Sequence, residues 1–384
     1  MNLRIAGMGW VTPLGRGIQA VWERLLAGEE ASAQLISDSL QEQKYPFFPV
    51  PSSVLKDLPP HPRLRRASPI SRFAAAAGLD ALKGARSITL IEGRELDLGK
   101  IDRGRVALIF AVSNGGVVYT KRFYHDVAVS GAQSASPLLF PETVFNAPAS
   151  HLAAILGITG ATYTVVGDGA VGILAMLMAE DLMMNAGIDF SLVVGAEEAD
   201  WLLCDAYRKW RLLKMQPPIE LFRRPPRGMI LSEGAGAILL ARDGPIAVDK
   251  IHAGANFSRR NEASERIVRI LSDLGDERAK ILVTSANGTF VDLAEETAVL
   301  REMSDATIYS LKPALGESVG ASAIWQVIVA AQSLRTKRLP PLLHVDPGNI
   351  GKLSPASGKE TPAGAAIVLS CGLNQQVAGL RLSI

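Results

Sequence analysis

Short apolar runs rich in β-branched residues alternate with segments of helical length along the 384-residue chain. The runs at 3–8, 105–112, 162–166, 190–196, 235–241, 246–252, 281–286, 306–310, 365–370 and 379–383 predict strands. Several carry almost no polar residue, as in Val106-Ala107-Leu108-Ile109-Phe110 and Phe190-Ser191-Leu192-Val193-Val194. Strands apolar on both faces belong in sheets covered by helices on both sides. Residues 170–187 are apolar almost all round, as are 319–335. A helix without a polar face is buried. Each of these helices stands amid apolar strands, one per half, which predicts an α/β protein of two similar layered halves dividing near residue 242. Pro-rich and polar stretches at 40–70 and 353–363 predict loops.

Composition narrows the class. Hydrophobic residues are 48% and charged residues 20% of the chain, which suits a large buried core. A net charge of +2 gives no reason to expect nucleic acid or an anionic membrane as partner. One local basic cluster, Arg63, Arg65 and Arg66, lies on a Pro-rich stretch and reads as a solvated loop or as a docking point for an acidic carrier protein. Two cysteines, Cys204 and Cys371, give neither a disulfide framework nor zinc spacing, and this favours a reducing compartment. The N-terminus lacks a signal-peptide pattern and no apolar run reaches the length of a membrane span, so the cytoplasm is expected. The five histidines are scattered and no metal-ligand spacing occurs, so no metal is expected.

Two glycine motifs suggest chemistry. Gly167-Asp168-Gly169-Ala170-Val171-Gly172 follows a strand and opens the first apolar helix, in the form of a dinucleotide fingerprint. Against that reading, the acid at Glu197 comes 25 residues after the last glycine, and Asp168 stands where a pyrophosphate would approach. Gly316-Glu317-Ser318-Val319-Gly320 has the form of a nucleophile elbow. The one later histidine is His344, and Asp346 follows it, so the acid-then-histidine order of a hydrolase is missing.

A longer series of blocks carries more weight. It comprises Ile5 to Gly15, Trp22 to Gly28, Ser136 to His151, Val194-Gly195-Ala196-Glu197, Leu231 to Ala237, and Ser310-Leu311-Lys312 followed by Gly316 and Val319-Gly320-Ala321. In order and spacing these resemble the β-ketoacyl synthase family along almost the whole chain. The resemblance implies the thiolase fold, two fused α/β halves (1–242 and 243–384) stacked in five layers, α-β-α-β-α. It also implies a dimer built by pairing the strand just before the nucleophile.

The same resemblance exposes what is missing. An active member carries a Cys-His-His set: a cysteine at a buried helix N-terminus accepts the acyl chain, and two histidines polarise the malonyl thioester carbonyl. Laid over this chain, the cysteine position is Gly169, the first histidine is Asn287, and the second is Glu317. The family lysine remains as Lys312, and the family's C-terminal Gly-Phe-Gly-Gly loop is replaced by residues 357–362. Glycine cannot hold a thioester. Asn287 retains a donor for a carbonyl. An ionised Glu317 would repel a malonyl carboxylate, by about 4 kcal/mol at ~4 Å and an effective dielectric of ~20, or it could pair with Lys312 as a structural ion pair.

No cofactor is implied. The expected function is a non-catalytic subunit like the chain-length factors of type II polyketide systems. It would pair with an active ketosynthase, or with a second copy of itself, and would meet acyl carrier protein. Segments around 113–146 would reach the partner's acyl tunnel, and Leu138 to Asn146 resembles the corresponding segment of aryl polyene systems. The alternative is a divergent enzyme, a malonyl decarboxylase or thioesterase, working through Asn287, Lys312 or Glu317.

Overall fold

The computed structural model describes residues 3–37, 42–85, 101–346, 348 and 350–384. The first half contributes β1 (Leu3–Thr12), α1 (Pro69–Ala85), β2 (Val106–Val112), α2 (Val117–Ser130), α3 (Ala147–Leu156), β3 (Thr162–Val166), α4 (Val171–Asn185), β4 (Phe190–Glu197) and β5 (Gly234–Ala241). The second contributes β6 (Ile246–Asn256), α5 (Ala263–Leu274), β7 (Ala279–Val283), α6 (Phe290–Glu302), β8 (Thr307–Tyr309), α7 (Val319–Thr336), β9 (Ala365–Cys371) and β10 (Gln376–Ser383). All ten apolar runs are strands of this framework.

The two halves repeat one topology. The first sheet runs β1-β5-β4-β2-β3 and the second β6-β10-β9-β7-β8. Strands in equivalent places pair in the same sense: β2 is parallel to β3 and β4, as β7 is to β8 and β9. An antiparallel seam, Leu3 with Val248, Arg4 with Ala247 and Ile5 with Ile246, joins the sheets edge to edge. Helices α4 and α7 pack against each other between the sheets, α1 and α3 cover the outer face of the first, and α5 covers the second with α6 beside it.

Strand period explains the two-faced burial. In β2, Ala107, Ile109 and Ala111 join the core around the central helices, while Leu108, Phe110 and Val112 join the core under α1 and α3. Residues Val319 to Leu334 of α7 are all buried, as expected for a helix with no polar face. Close packing needs glycine where layers meet: a Cβ on Gly195 of β4 would lie 2.6 Å from the Gly320 carbonyl of α7.

The 40–70 stretch departs from its expected loop, apart from residues 40 and 41, which lie outside the described residues. Lys44–Phe48 forms a strand with Gln34–Ser37 and Leu231–Ser232. Tyr45, Phe47 and Phe48 are buried, and this burial outweighs Pro46 within the strand. Arg63, Arg65 and Arg66 are exposed, and the first two lie on a short 3₁₀ turn, Pro62–Arg65.

Candidate functional site

The carboxyl ends of the parallel strands in both halves converge, and the loops after them carry the candidate residues, the usual place for a site in α/β sheets. Gly169 lies in the β3–α4 loop. Its carbonyl accepts a hydrogen bond from Ser370 Oγ at 2.7 Å. Its backbone is not left-handed. A Cβ built on it would meet Gly372 Cα at 3.3 Å and the Cys371 carbonyl at 3.6 Å. Glycine is therefore not demanded here by the backbone.

On the other side, Glu317 sits just before α7 and is 4% exposed. Its Oε1 accepts Lys312 Nζ at 2.6 Å and Ser322 Oγ at 2.8 Å. Its Oε2 accepts Asn287 Nδ2 at 2.8 Å. Asn287 Oδ1 is in turn held by the Thr289 amide and hydroxyl at 3.2 and 2.6 Å. The donor that sequence reasoning left to Asn287 for a substrate carbonyl is thus committed to Glu317. Burial pulls the Lys312 ammonium below its ordinary range, against the raising effect of Glu317 beside it. The pairing with Glu317 allowed for Lys312 is present. Asn287, Lys312 and Glu317 meet in one buried cluster, and no residue of that cluster lines the cavity described next.

Two further carboxylates brace the cluster. Asp292 accepts the amides of Asn287, Gly288 and Phe222 at 2.8, 3.0 and 2.7 Å, and burial raises it to about 6. Glu295 holds the Ser285 amide at 3.0 Å and the Ser285 hydroxyl, and burial raises it to about 8. Ser285 Oγ then accepts the Cys371 amide at 2.8 Å, so the brace reaches the strand end opposite Gly169.

That strand end corrects the loop assignment. Residues 357–362 lie elsewhere: Glu360 bridges to Arg338, and Gly358 faces Pro341. The segment against Gly169 is instead the β9–β10 turn, Cys371 to Gln376. Asp168 caps it, accepting the Asn374 amide at 2.8 Å while its own amide donates to Gln376 Oε1 at 3.3 Å. A Cβ on Gly372 would sit 2.0 Å from the Asp168 carboxylate. Burial raises Asp168 to about 6. Sequence reasoning named Cys371 only as one of two cysteines and did not place it or this turn at the site; the pointer available was Gly372, placed directly after an apolar strand.

A cavity of about 720 Å³ opens above the turn, lined in part by Asn114, Asp168, Tyr207, Trp210, Arg260 and Gln376. The dinucleotide reading finds no pyrophosphate bed: Asp168 fills the loop, and Gly172 serves helix packing, since a Cβ there would meet Ala323 of α7 at 2.9 Å. The hydrolase reading fails on geometry, because His344 pairs with Glu30 and Ser318 Oγ is buried without a partner among the described residues. Cys204 is buried within the helix Trp201–Lys209, its thiol pushed up to about 12 by burial.

A duplicated five-layer α-β-α-β-α architecture, with a site between the N-termini of its two central helices, is the thiolase fold. Residues 2–244 match the N-terminal domain of beta-ketoacyl synthase and residues 246–346 its C-terminal domain, so the chain belongs to the β-ketoacyl synthase family. It is 23% identical to a putative mitochondrial 3-oxoacyl-[acyl-carrier-protein] synthase of Schizosaccharomyces pombe, over 90% of this chain and 89% of that protein. It is 21% identical to 3-oxoacyl-[acyl-carrier-protein] synthase 2 of Vibrio cholerae, over 89% of this chain and 88% of that one. Among solved structures, a chain of the ishigamide ketosynthase/chain length factor superposes with a TM-score of 0.85 at 18% identity, covering 100% of this chain and 98% of that one. A chain from a ketosynthase in complex with its chain length factor, from Xenorhabdus doucetiae, gives 0.78 at 17% identity, covering 100% and 98%. No helix among the described residues is long and apolar enough to cross a membrane.

Proposed function

We propose that this chain is a non-catalytic ketosynthase-like subunit of the chain-length-factor type, pairing with an active ketosynthase in elongation of a polyketide-like or polyenic acyl chain. The observation that carries this is the closed Asn287–Glu317–Lys312 network, together with a side-chainless Gly169 at the start of the other central helix. An active site needs a nucleophile and free donors aimed at a carbonyl. Here the nucleophile is missing, and the Asn287 amide and Lys312 ammonium are both turned onto Glu317.

The surface supports a paired state. β3 is the outer strand of its sheet, with Tyr163 43% and Val166 51% exposed and no Lys, Pro or bulge to guard it. A bare, apolar edge of this kind fits pairing with a second thiolase-fold chain. Acyl carrier protein would meet the exposed Arg63, Arg65 and Arg66. The work would take place in the cytoplasm, where both cysteines stay reduced. Division at residue 242 gives each half its own share of the site.

The test is reconstitution with a purified active ketosynthase from the same genome. A 1:1 complex that makes full-length product, with neither chain doing so alone, is expected. Full product from the ketosynthase without this chain would sink the reading. Turnover of malonyl-carrier thioester by this chain alone, lost in Asn287→Ala, would instead establish the decarboxylase or thioesterase alternative.

A further inference from the structure

The segment between α2 and α3 has its burial inverted. From Ser136 to Asn146, Leu138, Phe140, Val144 and Phe145 are 60%, 57%, 41% and 46% exposed, while the one ionisable residue, Glu142, is 6% exposed. Acids are ordinarily among the last residues to be buried and phenylalanines among the first. A definite interaction has to hold the segment this way round.

Glu142 Oε1 lies 2.5 Å from Nε2 of His151 on α3, with side chains 7% and 12% exposed. The other carboxylate oxygen lies 3.5 Å from the Ser68 amide. His151 Nδ1 is buried without a partner among the described residues, so the ring's polar contact is with Glu142. The backbone is fitted to this pair. A Cβ on Gly116 would come within 2.9 Å of the Glu142 carbonyl, and one on Gly115 (φ +72°) within 3.0 Å of the Phe145 ring. The Phe140 ring packs at a tilt of 51° against Phe123 of α2, centroids 5.8 Å apart. α3 packs against both this turn and β3, so the segment and the bare sheet edge share one supporting helix.

We propose that Glu142 and His151 form a positioning clamp that fixes residues 136–146 inside out, presenting Leu138, Phe140, Val144 and Phe145 as a preformed apolar contact for the active ketosynthase of the pair. The identity of that occupant rests on the function proposed above; the clamp does not. Holding the acid inside leaves the apolar side chains with nowhere to turn but outward. Ordering them before the partner arrives removes an entropic cost from association. Neither residue touches the acyl chemistry; both act through the segment they hold.

Hydrogen exchange on the isolated chain tests the clamp at amides whose bonds it supports: Glu142 to Leu139, Thr143 to Phe140 and Ala147 to Val144. His151→Phe and Glu142→Ala are expected to speed exchange there roughly tenfold or more, with α4 and α7 unchanged. His151→Gln, whose amide can still donate to Glu142, should stay near wild type. Exchange within about twofold of wild type in His151→Phe and Glu142→Ala overturns the clamp. Sedimentation of each variant with the purified ketosynthase tests the presentation. Weaker pairing by His151→Phe and normal pairing by His151→Gln supports it; equal pairing by all three overturns it. If the wild-type chain does not pair at all, the proposed function fails and the exchange result still decides the clamp.

Discussion

The β3–α4 and β8–α7 loops occupy the same place in the two halves, each leading into a buried central helix, yet they lack catalytic groups in opposite ways. The first is empty. Gly169 offers no side chain, but its backbone is ordinary and the nearest atom to a built Cβ is 3.3 Å away. The second is full. Glu317 brings a carboxylate that Lys312, Ser322 and Asn287 satisfy completely. An empty position can be refilled by one substitution. A satisfied buried ion pair cannot be changed at one member without leaving the others stranded. On this comparison the second half is the greater barrier to any return of synthase chemistry.

The largest effect should come from breaking the full side. Glu317→Ala leaves the Lys312 ammonium buried without its counter-ion and is expected to cost about 3–5 kcal/mol. Denaturant unfolding measures it. The double change Lys312→Met with Glu317→Leu should be much milder, and equal losses in the two variants would show that packing, not charge, holds the loop. A pH titration of stability comes next. Burial raises Glu197 and Glu295 to about 8 and Glu198 to about 7, so the folded state binds protons that the unfolded state has released. Their stabilisation is complete below the unfolded carboxylate value and is lost as pH rises through 7 and 8. Stability should therefore fall from weakly acid to weakly alkaline pH, by on the order of a few kcal/mol. Glu197→Gln, at a carboxylate that joins the Gly320 amide of α7 to the Ser113 and Asn114 amides, should flatten that slope. A flat wild-type profile would refute it. The smallest effect is expected on the empty side. Gly169→Cys should cost about 1 kcal/mol or less, checked by the same unfolding experiment, and should give no condensation activity with Glu317 in place. Condensation by that single variant would reverse the ranking of the two loops.

Much of this was legible in the residues. Apolar runs two-faced in β2 and β4, and apolar all round in α7, admit few arrangements other than covered sheets around buried helices. The five-residue spacing of Lys312 and Glu317 across a glycine turn allowed the ion pair to be anticipated. What escaped depends on distance in sequence. Asp168 meets Asn374 across 206 residues, and Ser285 meets Cys371 across 86, with no local pattern to announce either. The strand at Lys44–Phe48 was hidden by Pro46 and the polar residues around it, because its stability comes from burial of Tyr45 and Phe48 rather than from propensity. The inverted burial at Glu142 could not be read at all, since composition alone would turn the same segment the other way.

The seam between β1 and β6 has a mechanical consequence. Two domains joined by a linker can close on a ligand like a hinge. Here three backbone pairs stitch the half-sheets together at one edge, and α4 lies locked against α7 between them. Opening the halves would tear hydrogen bonds and core contacts together. Motion that admits or senses a ligand is therefore confined to the loops at the strand ends, foremost the turn that Asp168 caps. The rest of the molecule serves as a stiff frame for those loops.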